Sequence, residues 1–393
     1  MQGFEYYTPT RVLFGKGAEA ECGRLCAEEG AGKVLVHYGG ASAEKSGLLG
    51  RVCASLTAAG VAHVMLGGVQ PNPRLSLVRQ AVELSRAEGV DFILAVGGGS
   101  VIDSAKAIAY GLGCGGEVWD FFDAKRQPEK TTPVGTVLTI AAAGSEMSNS
   151  CVITNDETGE KRGIKHDIAR PRFAVMDPSL TLTVPPYQTA VGCVDILMHT
   201  MERYFTLEAP TMGLTDEIAE ALMRNVIQNA HVLARTPEDY DARAEMMWAS
   251  SLSHNGLTGC GNGNGDWAVH QLGHELSGKY DLAHGASLAA VWGSWARYVY
   301  RAAPARFARF ATHVMELPEE GDDEAMALAG IEELEGFFWA LEMPTNLEEA
   351  GLAPTDEDIR DMADKCSYHG HRTVGAIMQL DASDAEEIYK MAR

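Results

Sequence analysis

The sequence predicts a two-part chain: an α/β domain built on a Rossmann-like, mostly parallel sheet, followed by an all-helical domain. Three observations carry this expectation. Up to about residue 180, short β-branched runs alternate with helix-like stretches, the rhythm of βαβ units. Beyond "LTVPPYQ" (182–188) the strand-like runs stop and long amphipathic segments follow one another. A length of 393 residues makes about two domains the natural expectation.

In chain order, strands are expected at "RVLF" (11–14), "KVLVHY" (33–38), "VAHVMLGG" (61–68), "DFILAVGGG" (91–99), "GTVLTI" (135–140) and "RFAVMD" (172–177). The stretches 74–89 and 101–111 carry apolar residues at three-and-four spacing and read as crossover helices. Later helices are expected over 188–205, 216–233, 237–257, 266–278, 287–300, 323–341 and 356–366. The boundary is placed at residue 186, giving domains 1–186 and 187–393. The glycine-rich "GCGNGNG" (259–265) is expected to be a loop, with Asp266 as N-cap of the helix that follows.

Composition excludes several classes. Hydrophobic residues at 46% and charged residues at 22% suit a soluble globular protein, and no apolar run approaches the roughly 18 residues of a membrane helix. The start "MQGFEYYTPTRVLFGKG" lacks the features of a secretory signal, so a cytoplasmic location is expected. Eight scattered cysteines, the closest pair being Cys22 and Cys26 at helical rather than CxxC spacing, imply reduced thiols. A formal charge of −22 with no lysine and arginine cluster argues against nucleic acid, and a solvated carboxylate-rich surface accounts for it.

Two turns look suited to a phosphate. In "AVGGGSVIDSAK" (95–106) a strand gives way to a helix through three glycines, so that backbone amides and the positive helix end can approach an anion. The spacing is not GxGxxG, and a plain tight turn is the alternative. "TIAAAGSEMSN" (139–149) also follows a strand with small residues. "YGGAS" (38–42) ends the second strand, where an NAD-binding fold offers a carboxylate to the ribose; glycine stands there instead, leaving room for a 2′-phosphate that Ser42 and Lys45 could meet.

"VDILMHTMERY" (194–204) places Asp195 and His199 at i and i+4, one helical turn apart, a spacing that suits joint metal ligation or a simple surface pair. His270, His274 and His284 in "DWAVHQLGHELSGKYDLAHG" (266–285) could complete a tetrahedral shell. His37, His63, His166, His231, His254, His313, His369 and His371 are read as ordinary core or surface histidines. Trp267, Trp292, Trp295 and Tyr280 could line an apolar pocket, although aromatic residues at helical spacing more often belong to a core.

With these motifs, together with "EYYTPTRVLFGKG" (5–17), "QPNP" (70–73) and "DPSLTLTVPP" (177–186), the chain resembles the iron-containing, or group III, alcohol dehydrogenase family over its whole length. It is most similar to the branch of NADP-dependent butanol dehydrogenases and broad aldehyde reductases. The resemblance implies a dinucleotide-binding α/β domain, an all-helical metal-binding domain and an active site in the cleft between them. The metal ligands it implies are Asp195, His199, His270 and His284, holding one divalent ion, Fe2+ or Zn2+, with Fe2+ favoured. His274 is implied to lie near nicotinamide and substrate without holding the metal. The cofactor residues implied are Gly39, Gly40, Ser42, Asn72, Gly98, Gly99, Ser100, Asp103, Thr139, Asn149 and Lys161, and Asp103 is also expected to serve the chemistry.

The expected reaction is reversible, metal-dependent hydride transfer between NADPH and a small aldehyde, in a homodimer, without nucleic-acid or membrane partners. Polyol oxidoreduction of the glycerol dehydrogenase type is the nearest alternative. A dehydroquinate-synthase-like lyase would need more basic residues around its substrate. One departure from the family pattern is "AAAGSE" (141–146), where many members carry a threonine before the glycine.

Overall fold

A sheet whose strands lie side by side in the order 11–14, 173–176, 134–138, 92–97, 33–38 and 62–66, with every pairing parallel, organises the first half of the chain. The computed structural model describes residues 2–40, 42–207, 213–263 and 265–393. Ala41 of the YGGAS turn and Asn264 of the glycine-rich loop lie outside the described residues. The strands are β1 Arg11–Phe14, β2 Lys33–Tyr38, β3 Ala62–Leu66, β4 Phe92–Gly97, β5 Val134–Leu138 and β8 Phe173–Met176. An antiparallel hairpin, β6 Ser150–Thr154 with β7 Lys161–Lys165, was not foreseen. Only three apolar residues, Cys151 to Ile153, stand together in it, opposite a mostly charged partner strand, and its pairing is local.

Helices of this half are α1 Cys22–Glu28, α2 Ser42–Lys45, α3 Leu48–Ala58, α4 Leu75–Glu88, α5 Gly99–Cys114 and α6 Trp119–Phe122. Val34, Val36, Leu94 and Val96 pack under α1 and α3, while the alternate residues Leu35, Ile93 and Ala95 are buried on the opposite face, where α5 packs against β4. Both faces are covered, which is why these strands are nearly continuous apolar runs. Because β3 lies on one side of β2 and β4 on the other, the order reverses between β2 and β4. In open α/β sheets ligands bind at the carboxyl ends of strands at such a switch point.

The second half is helical: α7 Pro186–Tyr204, α8 Gly213–Arg235, α9 Tyr240–His254, α10 Ala268–Tyr280, α11 His284–Val299, α12 Pro304–His313, α13 Asp323–Ala340, α14 Asp356–Cys366 and α15 Ala382–Ala392. Pro186 at the first position of α7 is pre-set for a helix start. Helices α12 and α15 were not anticipated, although Pro304 in the first turn marks the start of α12 and Asp381 caps α15. Trp292 and Trp295 are buried core residues, Trp292 packed with Phe310 and Phe338 and Trp295 with Phe307.

The chain divides into two compact units, Tyr7–Val184 and Met1–Tyr6 with Pro185–Arg393. The segment 2–6, expected with the α/β domain, groups with the helical unit, where the Gln2 N–H donates to the Gly261 carbonyl at 3.0 Å. Among the described residues no helix is long and apolar enough to cross a membrane.

Candidate metal and cofactor sites

Helix α7 carries Asp195, His199 and Glu202 at i, i+4 and i+7, and each is almost wholly buried. This spacing puts all three on one face. Arg203, at the helix end, donates to the carbonyls of His199 (2.6 Å) and Ser253 (3.1 Å). Helix α10 brings His270 to that face, and α11 begins at His284. Gly285 lets α11 start there, since a Cβ would stand 2.1 Å from the Val191 carbonyl oxygen of α7.

One oxygen of Asp195 is the centre of this group. His199 Nδ1 lies 3.3 Å from Asp195 Oδ1, His284 Nε2 3.7 Å and His270 Nε2 3.9 Å. Four ligands held tetrahedrally at zinc-like bond lengths stand about 3.4 Å from one another, so these separations suit donors around one small cation. Asp195, His199 and His270 offer donor atoms all within 4.8 Å of one another. His284 shares the Asp195 oxygen but falls outside that mutual set and is the most exposed of the four. A carboxylate with imidazoles is a donor set that Fe2+ and Zn2+ both accept. The residues present therefore fit a divalent cation.

His274, one turn beyond His270, is also buried, with its ring centre 5.5 Å from His284 and 6.3 Å from His270. It borders the group without joining the mutual set. Asp266 does not cap α10 in the expected way: the N-cap is Trp267, in the left-handed conformation, and makes no side-chain cap bond. Asp266 instead accepts the N–H groups of Ala268 (3.1 Å), Ala376 (2.6 Å) and Ile377 (2.9 Å), tying a C-terminal loop to the start of the helix. Burial, and then the charge of Glu202, push its carboxyl up to about 7 against the pull of these donors.

In the α/β unit the three expected turns meet at one sheet edge, because Tyr38 pairs with Val96 and Gly97 with Leu138. This is the switch point. Gly98 precedes α5, and Gly99 opens it against the second turn; a Cβ at Gly99 would lie 2.9 Å from that of Ala143. Thr139 N–H donates to the Gly97 carbonyl. Asn72 and Lys161 are brought together, the Lys161 ammonium donating to Asn72 Oδ1 at 2.9 Å. Asn149 turns to Asp167, donating to its Oδ1 at 3.0 Å. Asp103 accepts from Ser145 Oγ (2.5 Å) with one oxygen and from the Val152 N–H (2.9 Å) with the other.

Comparison with known proteins decides the family. Residues 9–178 match the model of the iron-containing alcohol dehydrogenases, and residues 189–393 match that of the C-terminal part of the Fe-containing alcohol dehydrogenase family. The chain belongs to the iron-containing alcohol dehydrogenase family. It is 37% identical to the NADH-dependent butanol dehydrogenase A of Clostridium acetobutylicum, with 99% of each chain covered. Against the NADPH-dependent aldehyde reductase YqhD of Escherichia coli it is 36% identical, with 100% of each covered. Its fold superposes on the crystal structure of the NADH-dependent butanol dehydrogenase A of Thermotoga maritima with a TM-score of 0.96 at 39% identity, covering 100% of this chain and 99% of that one.

In this iron-containing alcohol dehydrogenase, Glu202, His254 and Lys106 make contacts that the sequence reading did not assign to them. Glu202 accepts from His270, a contact that its i+7 spacing from Asp195 could have signalled. His254, taken as an ordinary core or surface histidine, stands edge-on to His199 with ring centres 4.0 Å apart. Trp267 lies beside His270, its ring centre 5.4 Å away, under the Arg203 guanidinium. Lys106, the last residue of the first glycine-rich motif, is buried completely and donates into the second turn. His37 is a core histidine as expected: its ring nitrogens pair with the Leu66 carbonyl and Ser104, and burial holds it down to about 4.

Proposed function

We propose that the chain is a metal-dependent, NADP(H)-linked alcohol dehydrogenase and aldehyde reductase of the butanol dehydrogenase type, acting on small aldehydes and their alcohols as a cytoplasmic homodimer. The observation that carries the proposal is the buried meeting of Asp195, His199 and His270, with His284 on the same Asp195 oxygen. When bound, a divalent metal, Fe2+ in our assignment, supplies Lewis acidity at the substrate oxygen, and the nicotinamide supplies or takes the hydride. Asp195, His199, His270 and His284 are the residues assigned to hold the metal.

The protein's other groups bind and orient. The amides at Gly98, Gly99 and Ser100 open a 16-residue helix and receive the pyrophosphate at its positive end. Gly39, Gly40 and Ser42 border the ribose, and Asn72, Thr139, Asn149 and Lys161 complete the cofactor set, with Asp103 as a holder of the loop. His274 is assigned to hold or move a proton at its imidazole, the side chain most often used for that task. The test is a panel of aldehydes, primary alcohols and diols assayed with NADPH and NADH on metal-analysed protein; no turnover of any of them by metal-loaded protein would overturn the assignment.

Cofactor preference rests on the end of β2. No carboxylate stands at Gly39 or Gly40 to repel a 2′-phosphate, and a Cβ at Gly39 would meet only ordinary contacts, Val69 O at 3.5 Å and Val101 Cγ2 at 3.7 Å. Gly39→Asp should therefore fold normally and move kcat/KM toward NADH by about tenfold or more, the scale of one charge contact of about 1.4 kcal/mol. A wild-type enzyme faster with NADH than with NADPH would contradict the NADP(H) assignment.

His274→Phe should keep metal content and cofactor affinity while slowing aldehyde reduction by about 10- to 10³-fold, the lower part of the range of general acid catalysis. An unchanged rate and pH profile would return His274 to a packing role.

A further inference from the structure

Helix α10 starts without a cap from its own N-cap residue, since Trp267 makes no side-chain bond to the first turn. Asp266 accepts the Ala268 N–H at its start, and the group that takes the His270 N–H comes from another helix. Glu202 of α7 accepts the backbone N–H of His270 at 2.8 Å, and the same oxygen, Oε1, accepts from His270 Nδ1 at 2.8 Å. His270 is the third residue of α10, where a helix leaves an amide in need of an acceptor and favours negative charge.

We propose that Glu202 is a positioning residue of the metal centre, holding His270 in the orientation and tautomer that turn Nε2 toward Asp195. The inference rests on the metal-binding reading of Asp195, His199 and His270. A carboxylate oxygen only accepts, so Nδ1 carries the proton and Nε2 keeps its lone pair. One oxygen bound to both the backbone and the ring of one residue fixes the side-chain torsions as well. Nε2 then stands 3.9 Å from Asp195 Oδ1.

The surroundings keep Glu202 in place. Its side chain is 2% exposed, and its own carbonyl accepts the Asp266 N–H at 2.6 Å. Asp266 in turn binds Ala268, Ala376 and Ile377, so the chain entering α10 is pinned on both sides of Trp267. Charge gives a second reason. Asp195 and Glu202 are two buried acidic side chains on one helix face, and a cation held by Asp195 and His270 would offset the charge of both. Partners of this kind raise ligand basicity and fix ring orientation.

Glu202→Gln keeps an oxygen for both the His270 N–H and Nδ1–H and removes only the charge, so the cap stays while the anion that holds the proton on Nδ1 and raises the basicity of Nε2 is lost. Full-length wild type and variant, stripped of metal by chelation, are titrated with Zn2+ in a calorimeter, and their melting midpoints are compared without metal. A positioning role predicts equal metal-free midpoints and a Zn2+ Kd raised about 10- to 100-fold in the variant. A Kd within twofold of wild type would overturn the inference and leave Glu202 a cap. Should the glutamine variant not fold, Glu202→Asp is titrated instead and should show the same loss, because its carboxylate stops one methylene short of Nδ1. A wild type that takes up no Zn2+ would overturn the metal reading itself, and the role of Glu202 with it.

Discussion

His270→Ala is expected to lose both bound metal and turnover, with metal content well below one per chain and kcat/KM for aldehyde reduction lower by about 10³-fold or more. Several kcal/mol of charge stabilisation are at stake when the Lewis acid goes, and about 4 kcal/mol corresponds to that factor. His270 is the donor through which α10 joins α7, since its Nε2 faces the Asp195 oxygen while its Nδ1 is taken by Glu202. Without it, Asp195 and His199 share α7 and only His284, the most exposed donor, reaches them from elsewhere. The fold should survive, because the alanine removes a side chain and leaves the His270 N–H bond to Glu202 intact. Elemental analysis and a melting curve on the same preparation make the check. Full metal occupancy in the variant would remove His270 from the ligand set.

The second large effect is expected on stability, at Lys106. Its ammonium is completely buried and donates to the carbonyls of Ser145 (2.7 Å), Ser148 (3.0 Å) and Ser150 (2.8 Å) and to Ser145 Oγ (2.9 Å). Ser145 Oγ passes on a bond to Asp103, one turn earlier on α5, at 2.5 Å. Burial alone pulls the ammonium's pKa down, and the Asp103 carboxylate works against that pull. Methionine fills a similar volume but strands the carbonyls and removes the stronger of the two positive charges, Lys106 and Lys161, that act on the buried Asp103, a change that costs about 3–5 kcal/mol. Lys106→Met should lower the melting midpoint by about 10 °C and weaken cofactor binding, since the loop it holds is the second glycine-rich turn. Adding Asp103→Asn should restore part of the loss because no lone charge then remains. A single variant that melts with the wild type would show that the ammonium contributes nothing to the fold.

Much of this protein was written locally. Strand and helix rhythm in the first half, the change of character near Pro186, and the i,i+4 pair Asp195 and His199 depend on periodicity and turn chemistry, which a sequence displays directly. The glycines of 97–99 and the missing carboxylate after Tyr38 are likewise visible as residue types. The hairpin Ser150–Thr154 with Lys161–Lys165 escaped because its apolar run is only three residues long and its second strand is mostly charged, and Asp266 was misjudged because one of its oxygens is taken by Ala376 and Ile377, over a hundred residues away.

What the sequence determined by itself is therefore the fold class, the family and the donor types, each encoded in neighbours a few residues apart. Tertiary structure alone decided which donors meet, since His270 and His284 reach Asp195 only because α10 and α11 pack against α7, the latter at Gly285. It also decided that Glu202 caps a helix to which it does not belong and that Lys106 spends its charge inside a loop. The physical reason is the same in each case: a buried polar group takes its partner from whatever segment the packing brings near, and that distance in space has no counterpart in the order of residues along the chain.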